Sequence, residues 1–163
     1  MNDVNLGMLL LRVGTGILLI AHGQNKFRGL NGTASWFGSI GMKPAKLHAV
    51  AAASTETFGG LFLALGLLTP LAAMAIVGTM TVAGWVDHRK AFFIFKGGFE
   101  FVYAVSLAVV AVAVVGPGRW SLDHAIGFKI TGIGALLLTG VGGLAAGAAH
   151  LAVFYRPPPT PAA

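Results

Sequence analysis

Five long apolar runs, separated by more polar segments, dominate the hydrophobic pattern of the chain. Neighbouring positions within these runs are apolar, whereas the strands of a membrane β-barrel alternate apolar and polar positions. A run of about 20 apolar residues is long enough for one membrane-crossing helix. The pattern therefore predicts an all-α, polytopic transmembrane bundle, with a four-helix core and a fifth C-terminal span. The predicted spans are residues 6–21, 47–68, 71–85, 98–115 and 130–154.

Proline and glycine mark the boundaries between several of these runs. Thr69-Pro70 predicts a tight turn that joins the second and third spans into a helical hairpin, and Gly116-Pro117-Gly118 ends the fourth span. No Lys, Arg, Asp or Glu interrupts the fifth run. The predicted organisation is a membrane core in residues 1–125, an additional glycine-rich helix in 126–155 and a mobile proline-rich tail in 156–163.

The segment between the first two spans, residues 23–46, is predicted to be a long loop. Its middle, Thr33-Ala-Ser-Trp-Phe-Gly-Ser-Ile, is amphipathic. It either lies in the membrane interface, with Trp36 at headgroup level, or forms an ordinary surface loop. The pattern leaves both alternatives open.

Composition supports a membrane protein and excludes several kinds of chemistry. The chain has 163 residues, of which 56% are hydrophobic and only 10% are charged, whereas soluble domains carry about 25% charged residues. It contains no cysteine, so it can form no disulfide, thiolate metal site or iron–sulfur cluster of its own. The net charge of +6 comes from cations that flank the spans. This placement favours contact with lipid headgroups and argues against nucleic-acid binding.

The distribution of basic residues predicts the orientation of the chain in the membrane. Five spans place residues 23–46, the loop 87–96 and the C-terminus on one side, and these segments hold eight of the eleven Lys and Arg residues. Basic residues mark the cytoplasmic side of the membrane. We predict an inner-membrane protein with its N-terminus outside and its C-terminus in the cytoplasm.

Ionisable residues inside the apolar runs are the first candidates for function, because each costs about 2.5 to 3.5 kcal/mol in hydrocarbon unless it is paired. Glu56 lies about 13 Å and Arg12 about 15 Å from the cytoplasmic boundary, estimated at 1.5 Å per helical residue. Their matching depths predict a structural ion pair between Arg12 and Glu56. Glu56 could instead serve a ligand, and the sequence leaves this alternative open.

A second hypothesis places a ligand site in the cytoplasmic half of the bundle, formed by His22, Lys26, Glu56 and Glu100. Histidine, lysine and carboxylate groups can hydrogen-bond the carbonyl oxygens of a quinone and exchange protons during its reduction. Glu100 lies only about 5 Å below the same face, so it could equally face water. The other histidines are widely spaced and no two face each other on one helix, so we predict no metal or haem site.

Two glycines in the fifth run have the spacing of a close helix-packing motif. Gly143 and Gly147 are four residues apart, and small residues at this spacing allow another helix backbone to approach closely. They are the predicted packing residues of the fifth span, and a homo-oligomer through them is possible.

Several short motifs together give the chain a resemblance to the DoxX family of small membrane proteins. They are Arg12 with Gly14 and Gly16, His22-Gly23, Lys26-Phe27, the segment from Glu56 through Gly59-Gly60 to Thr69-Pro70, Gly97-Gly98-Phe-Glu100, and Gly116-Pro117-Gly118-Arg119-Trp120-Ser121-Leu122-Asp123. The resemblance covers about residues 6–125. The family pattern describes four spans, so the run after Lys129 is an addition to it.

The resemblance implies an inner-membrane four-helix bundle, related to the membrane subunits of thiosulfate:quinone oxidoreductases. The leading hypothesis is a quinone-associated membrane subunit of a redox system, with no covalently bound cofactor and with a partner protein that supplies the electrons. The alternative is a non-catalytic accessory subunit that docks onto a larger membrane complex through the glycine-rich fifth span.

Overall fold

The computed structural model of the protein describes residues 2–89 and 91–157, and this part of the chain is helical throughout its regular structure. The prediction of an all-α membrane bundle is confirmed. The seven helices of the described residues are α1 (Asn2–Arg28), α2 (Leu30–Ser39), α3 (residues 45–65), α4 (Thr69–His88), α5 (Glu100–Val115), α6 (Leu122–Ile126) and α7 (Gly132–Phe154).

Three of these helices, α1, α4 and α7, are long and apolar enough to cross a membrane, and α5 is a shorter apolar helix. The predicted fifth run is thus a helix of membrane-crossing length. The buried core between α1, α3, α4 and α5 consists mainly of aliphatic side chains, among them Leu19, Leu63, Ile76, Val109 and Val112. Many large apolar side chains on the outside of the bundle are exposed, as expected for helices that contact lipid.

Helix α1 is longer at its C-terminal end than the apolar pattern predicts. The first apolar run ends at Ala21, but the helix continues without a break to Arg28. Lys26 and Arg28 lie in its last turn, where positive charge is favourable to the helix dipole. The extension carries Lys26 on a rigid helix, close to α3. Beyond it, the amphipathic segment forms helix α2 and packs against α3 through Phe37.

Close helix contacts depend on glycine at two places in the bundle. Gly16 of α1 lies against the backbone of α3, where an added Cβ would come within 2.5 Å of the Gly60 carbonyl oxygen. Gly143 and Gly147 of α7 lie against α4, and added Cβ atoms would come within 2.7 Å of Val77 and 2.6 Å of Thr81 respectively. The predicted packing residues of the fifth span therefore pack within the same chain. This face of α7 is buried and not free for another protein.

Three of the helices contain a five-residue π-helical turn, and one of these turns carries Glu56. The turns are Thr55–Gly59 in α3, Gly84–His88 at the end of α4 and Leu137–Val141 in α7. A π turn changes the direction in which the side chains around it point, and such turns occur frequently at functional sites. In α3 the turn lies in the segment that faces α1.

The end of α7 is connected to the loop between α2 and α3 by backbone hydrogen bonds. The Lys43 N–H donates to the Phe154 carbonyl oxygen at 3.2 Å, and the Arg156 N–H donates to the Gly41 carbonyl oxygen at 2.7 Å. These bonds connect the fifth span to the rest of the bundle. Residues 158–163 of the predicted mobile tail lie outside the described residues.

Candidate functional site

Arg12 is buried, but its partners are backbone carbonyl groups and not Glu56. Only 2% of the residue is exposed. Its Nε donates to the Pro117 carbonyl oxygen at 3.1 Å, and its two terminal nitrogens donate to the carbonyl oxygens of Ala64 and Trp120. The predicted Arg12–Glu56 ion pair is therefore wrong. Arg12 instead connects α1 to the end of α3 and to the 116–121 loop.

The wrong pairing has a simple geometric cause. The register of α1 on α3 is fixed by close contacts at Gly16, which lies against Gly60, and at Gly23, which lies against Thr57. Because the two helices run in opposite directions, Arg12 lies level with Ala64, near the C-terminal end of α3. Glu56 lies nearer the opposite end of the bundle.

Asp123 stabilises the same end of the bundle as Arg12. Its carboxylate oxygens accept hydrogen bonds from the N–H groups of Leu68 at 2.6 Å and Thr69 at 2.9 Å, at the start of α4. Leu68 has a left-handed backbone conformation, with φ of 47°, which is uncommon for a residue other than glycine. The carboxylate thus fixes the turn between α3 and α4.

Glu56 forms its ion pair with Lys26, which the extension of α1 brings alongside α3. The Lys26 Nζ donates to both carboxylate oxygens, at 2.6 and 2.5 Å. Glu56 is 5% exposed, whereas 24% of the Lys26 side chain is exposed. Lys26 therefore neutralises a buried carboxylate, and part of its own side chain remains exposed.

The Lys26–Glu56 pair lies on the wall of a cavity of about 600 Å³. This volume lies within the range of small-molecule sites, roughly 300 to 1,000 Å³. His22 also lines the cavity, and its ring stacks on Phe101 with the ring centres 4.9 Å apart. Most of the remaining lining is apolar, from α2, α3, α4 and α7. Three of the four predicted ligand residues therefore line one cavity.

Glu100 does not line this cavity. It is the first residue of α5, and its carboxylate accepts a hydrogen bond at 3.1 Å from the N–H of Ile94 in the loop before the helix. A carboxylate in the first turn of a helix is favoured by the helix dipole. The side chain thus stabilises the loop before α5.

A histidine pair at the cavity wall was missed by the sequence analysis. His48 of α3 and His150 of α7 both line the cavity, and His48 Nδ1 lies 3.1 Å from His150 Nε2. The spacing of histidines on single helices gives no signal for this contact, because the two residues belong to different helices. The sequence does place His48 near the start of α3 and His150 near the end of α7. These two helix ends meet at one face of the bundle, and this was the available signal for the contact.

Within residues 2–89 and 91–157, no three His, Asp or Glu side chains come together in an arrangement that could hold a metal ion. The titratable side chains that line the described cavity are His22, Lys26, His48, Glu56, His88 and His150.

The fold and cavity define a small helical membrane protein with a ligand-sized cavity near one membrane face. The family model for DoxX matches residues 7–89, and the chain belongs to the DoxX family. It is 36% identical over 118 residues to a Bacillus subtilis (strain 168) protein named "Putative oxidoreductase CatD", an alignment that covers 72% of this chain and 85% of that protein. No solved structure gives a significant match.

Proposed function

We propose that this protein binds a quinone in the cavity beside Lys26 and Glu56 and forms the membrane part of a redox system. The observation that carries the proposal is a buried carboxylate, Glu56, paired with the partly exposed Lys26 on the wall of an otherwise mostly apolar cavity of about 600 Å³. The apolar wall suits a quinone ring and its isoprenoid tail, and the lysine ammonium group can donate a hydrogen bond to a quinone carbonyl oxygen.

The redox part of the proposal is supported by the name of the Bacillus subtilis relative, which describes an oxidoreductase. Reduction of a quinone to a quinol takes two electrons and two protons. Glu56 and His22 are groups that can exchange the protons. The chain has no cysteine, and we propose that a partner protein supplies the electrons from a thiol or thiosulfate donor. In this arrangement the protein binds the quinone and the partner protein supplies the electrons. The protein is then a quinone-binding subunit and not a self-sufficient enzyme.

The alternative hypothesis, a non-catalytic accessory subunit, predicts docking through the glycine-rich fifth span, whose predicted packing residues are Gly143 and Gly147. Both residues are buried against α4 of the same chain. A partner protein that binds the membrane surface of this bundle must therefore use another face.

Quinone binding can be measured through tryptophan fluorescence, because Trp36 lines the cavity whereas Trp85 and Trp120 do not. We expect a short-chain ubiquinone analogue to quench the emission of the detergent-purified protein saturably. Lys26→Met removes the donor and should raise the dissociation constant about tenfold, since hydrogen bonds to charged groups contribute about 1.5 to 3 kcal/mol. Lys46→Met, an exposed lysine on the same face of the bundle, is the matched control and should leave binding unchanged.

The quench also requires its own control. Trp36→Phe should remove the saturable part of the quench while binding, followed by retention of the quinone in equilibrium dialysis, persists. Quench that is not saturable, or that is the same in wild type and Lys26→Met, would contradict the proposed site. Quinone reduction by membranes with and without the protein, supplied with thiosulfate or a dithiol, tests the redox part separately; equal rates would contradict it.

We propose an inner-membrane location, with the N-terminus outside and the C-terminus in the cytoplasm. Eight of the eleven Lys and Arg residues lie on the side that contains Ser39, and Arg119 lies on the other. Since the chain has no native cysteine, single cysteines report orientation cleanly. On intact cells, a membrane-impermeant maleimide should label Arg119→Cys and not Ser39→Cys. Labelling of Ser39→Cys and not of Arg119→Cys would contradict this orientation, and the proposed quinone site would be unaffected.

A further inference from the structure

His48 and His150 form an interhelical contact that the proposed function leaves unused. Only 3% of His48 is exposed, and its Nδ1 lies 3.1 Å from His150 Nε2. The Phe154 ring packs against both imidazoles, with ring centres 4.9 and 5.0 Å away. One ring must donate an N–H to the other, because two lone pairs or two N–H groups at this distance would repel each other. The contact therefore holds one proton between the two rings.

The other ring nitrogen of His48, Nε2, limits how many protons the pair can hold. It is buried and makes no hydrogen bond within the described residues. Two neutral rings carry one proton each, and Nε2 stays unprotonated if His48 Nδ1 is the donor to His150. If the pair gains a third proton and keeps the contact, both outer nitrogens are protonated, and the cation then has a buried N–H without an acceptor, which is costly. A fourth proton would place two N–H groups face to face. The contact is therefore favoured only while both rings are neutral.

No carboxylate stabilises a positive charge on the pair. In the part of the chain that the structure describes, neither ring forms an ion pair, whereas Glu56 is paired with Lys26 and Asp87 with His88. The other charged or titratable side chains on the elements around the pair are His22, Lys43, Lys46, Arg89, Tyr155 and Arg156. The lysines and arginines among them disfavour a further positive charge nearby.

The contact holds a part of α7 that forms one wall of the cavity. Ala146, Gly147 and His150 of α7 line the cavity. Beyond them, backbone hydrogen bonds attach the end of α7 to the loop between α2 and α3. Loss of the contact with His48 therefore leaves α7 attached at its end, and the resulting shift is limited to the helix turns that line the cavity.

We propose that the His48–His150 contact is a pH-sensitive connection between α3 and α7, which keeps this wall of the cavity in place while both rings are neutral and is released when the pair is protonated. The contact is complete above the range in which histidine ordinarily titrates, about pH 5 to 8, and is lost as the pH falls through that range. Protonation of histidine clusters changes interfaces in the same way in known pH sensors. The inference concerns the wall of the cavity and does not depend on the identity of the ligand.

The test measures the distance between α3 and α7 at two pH values. Since the chain has no native cysteine, Leu47→Cys and Ala149→Cys can each carry one nitroxide label. Both positions are exposed, neither lines the cavity, and each is adjacent to one of the two histidines. The distance between the labels is measured by electron paramagnetic resonance in the detergent-purified protein. Lowering the pH from about 8 to about 5 should increase this distance by about 2 Å, the size of ordinary helix shifts between two states.

Two variants keep the hydrogen bond but remove one titrating ring. In His150→Gln, the amide can donate to His48 or accept from it and does not titrate in this range. We expect the same label distance at both pH values. His48→Asn is the second variant where His150→Gln does not fold; its amide oxygen can accept from a protonated His150, so the distance should again be constant. His124→Gln is the matched control and should respond as the wild type does, because His124 is exposed and does not line the cavity.

NMR of isotope-labelled histidine follows the protonation of each ring in the same samples. A wild-type pair that is protonated at about pH 5 while the label distance stays constant would overturn the proposal, and so would a pair that stays neutral at this pH. An equal increase in distance in wild type and His150→Gln would overturn it as well, because another group would then be responsible. All of these outcomes leave the proposed quinone site standing, since its test compares variants at a single pH.

Discussion

The charged side chains at the two ends of the bundle have different kinds of hydrogen-bond partner. At one end, the guanidinium group of Arg12 donates to three backbone carbonyl groups and the carboxylate of Asp123 accepts two backbone N–H groups. At the other end, Glu56 is held by Lys26 beside a cavity. Arg12 and Asp123 are thus held by backbone groups, whereas the Lys26–Glu56 pair lines a cavity that a small molecule can fill.

This difference indicates which buried charges are structural. Backbone groups cannot leave a site without unfolding of the segment that carries them, so Arg12 and Asp123 connect loops that must stay in place. A flexible, partly exposed lysine can change partners at lower cost. We therefore expect substitutions at the Arg12 end to affect stability and substitutions at the cavity end to affect ligand binding.

The largest effect is expected from Arg12→Met. It leaves the carbonyl groups of Ala64, Pro117 and Trp120 buried without their donor, and we expect a loss of about 3 to 5 kcal/mol in the free energy of unfolding. Denaturation followed by circular dichroism in detergent measures it. Arg119→Met, an exposed arginine of the same loop, is the control. Ligand binding per folded molecule should be unchanged. A loss of binding in the folded variant would contradict a purely structural role for Arg12.

A smaller loss of stability is expected from Asp123→Asn. The amide places an NH₂ group opposite one of the N–H groups of Leu68 and Thr69, which removes one hydrogen bond and creates a repulsive contact. We expect a cost of about 1 to 3 kcal/mol in the same denaturation experiment. Asp87→Asn, in an exposed pair with His88 at 3.5 Å, should cost less than about 1 kcal/mol. Equal costs in the two variants would count against a special role for Asp123.

At the cavity end, Glu56→Gln should act mainly on binding. Lys26 can turn toward water when its carboxylate partner is lost, so we expect only about 1 to 2 kcal/mol of lost stability. The dissociation constant of the quinone should rise about tenfold, because the position of the Lys26 ammonium group is no longer fixed. The double variant with Lys26→Met should be no worse than the worse single variant, since the two residues act as a unit. If the effects of the two substitutions on the dissociation constant were additive, the two residues would act independently.

The smallest effect is expected from Glu100→Gln. The amide oxygen can still accept from the Ile94 N–H, and the side chain does not line the cavity. Stability should change by less than about 0.5 kcal/mol and quinone binding by less than about twofold. A loss comparable to that of Glu56→Gln, measured in the same fluorescence titration, would show that Glu100 belongs to the site after all.

The long apolar helices could be predicted from sequence because each is encoded by a local run of apolar residues, whereas α2 lies in a segment that was wrongly predicted to be a loop. The end of α1 could not, because hydrophobicity falls at Gln24, Asn25 and Lys26 while the hydrogen-bonded helix continues to Arg28. The close contact between Gly16 and Gly60 places Arg12 beside Ala64 and not beside Glu56. Such packing contacts, and not the edges of apolar runs, determine which residues of neighbouring helices meet.

The candidate site was predictable only in part for a related reason. The sequence places His22, Lys26 and Glu56 in the same half of the bundle, but the direction in which each side chain points depends on helix rotation and on the π turn of α3. The His48–His150 contact joins residues 102 positions apart. Nothing local in the sequence encodes such a contact.

The backbone connection between Arg156 and Gly41 has a consequence for the order in which the protein is assembled. Translation at about 5 to 20 residues per second completes α4 several seconds before α7 leaves the ribosome. During that interval the wall that carries His150 is missing. The lining of the cavity is therefore complete only after α7 has packed against α4 and the hydrogen bond between Gly41 and Arg156 has formed.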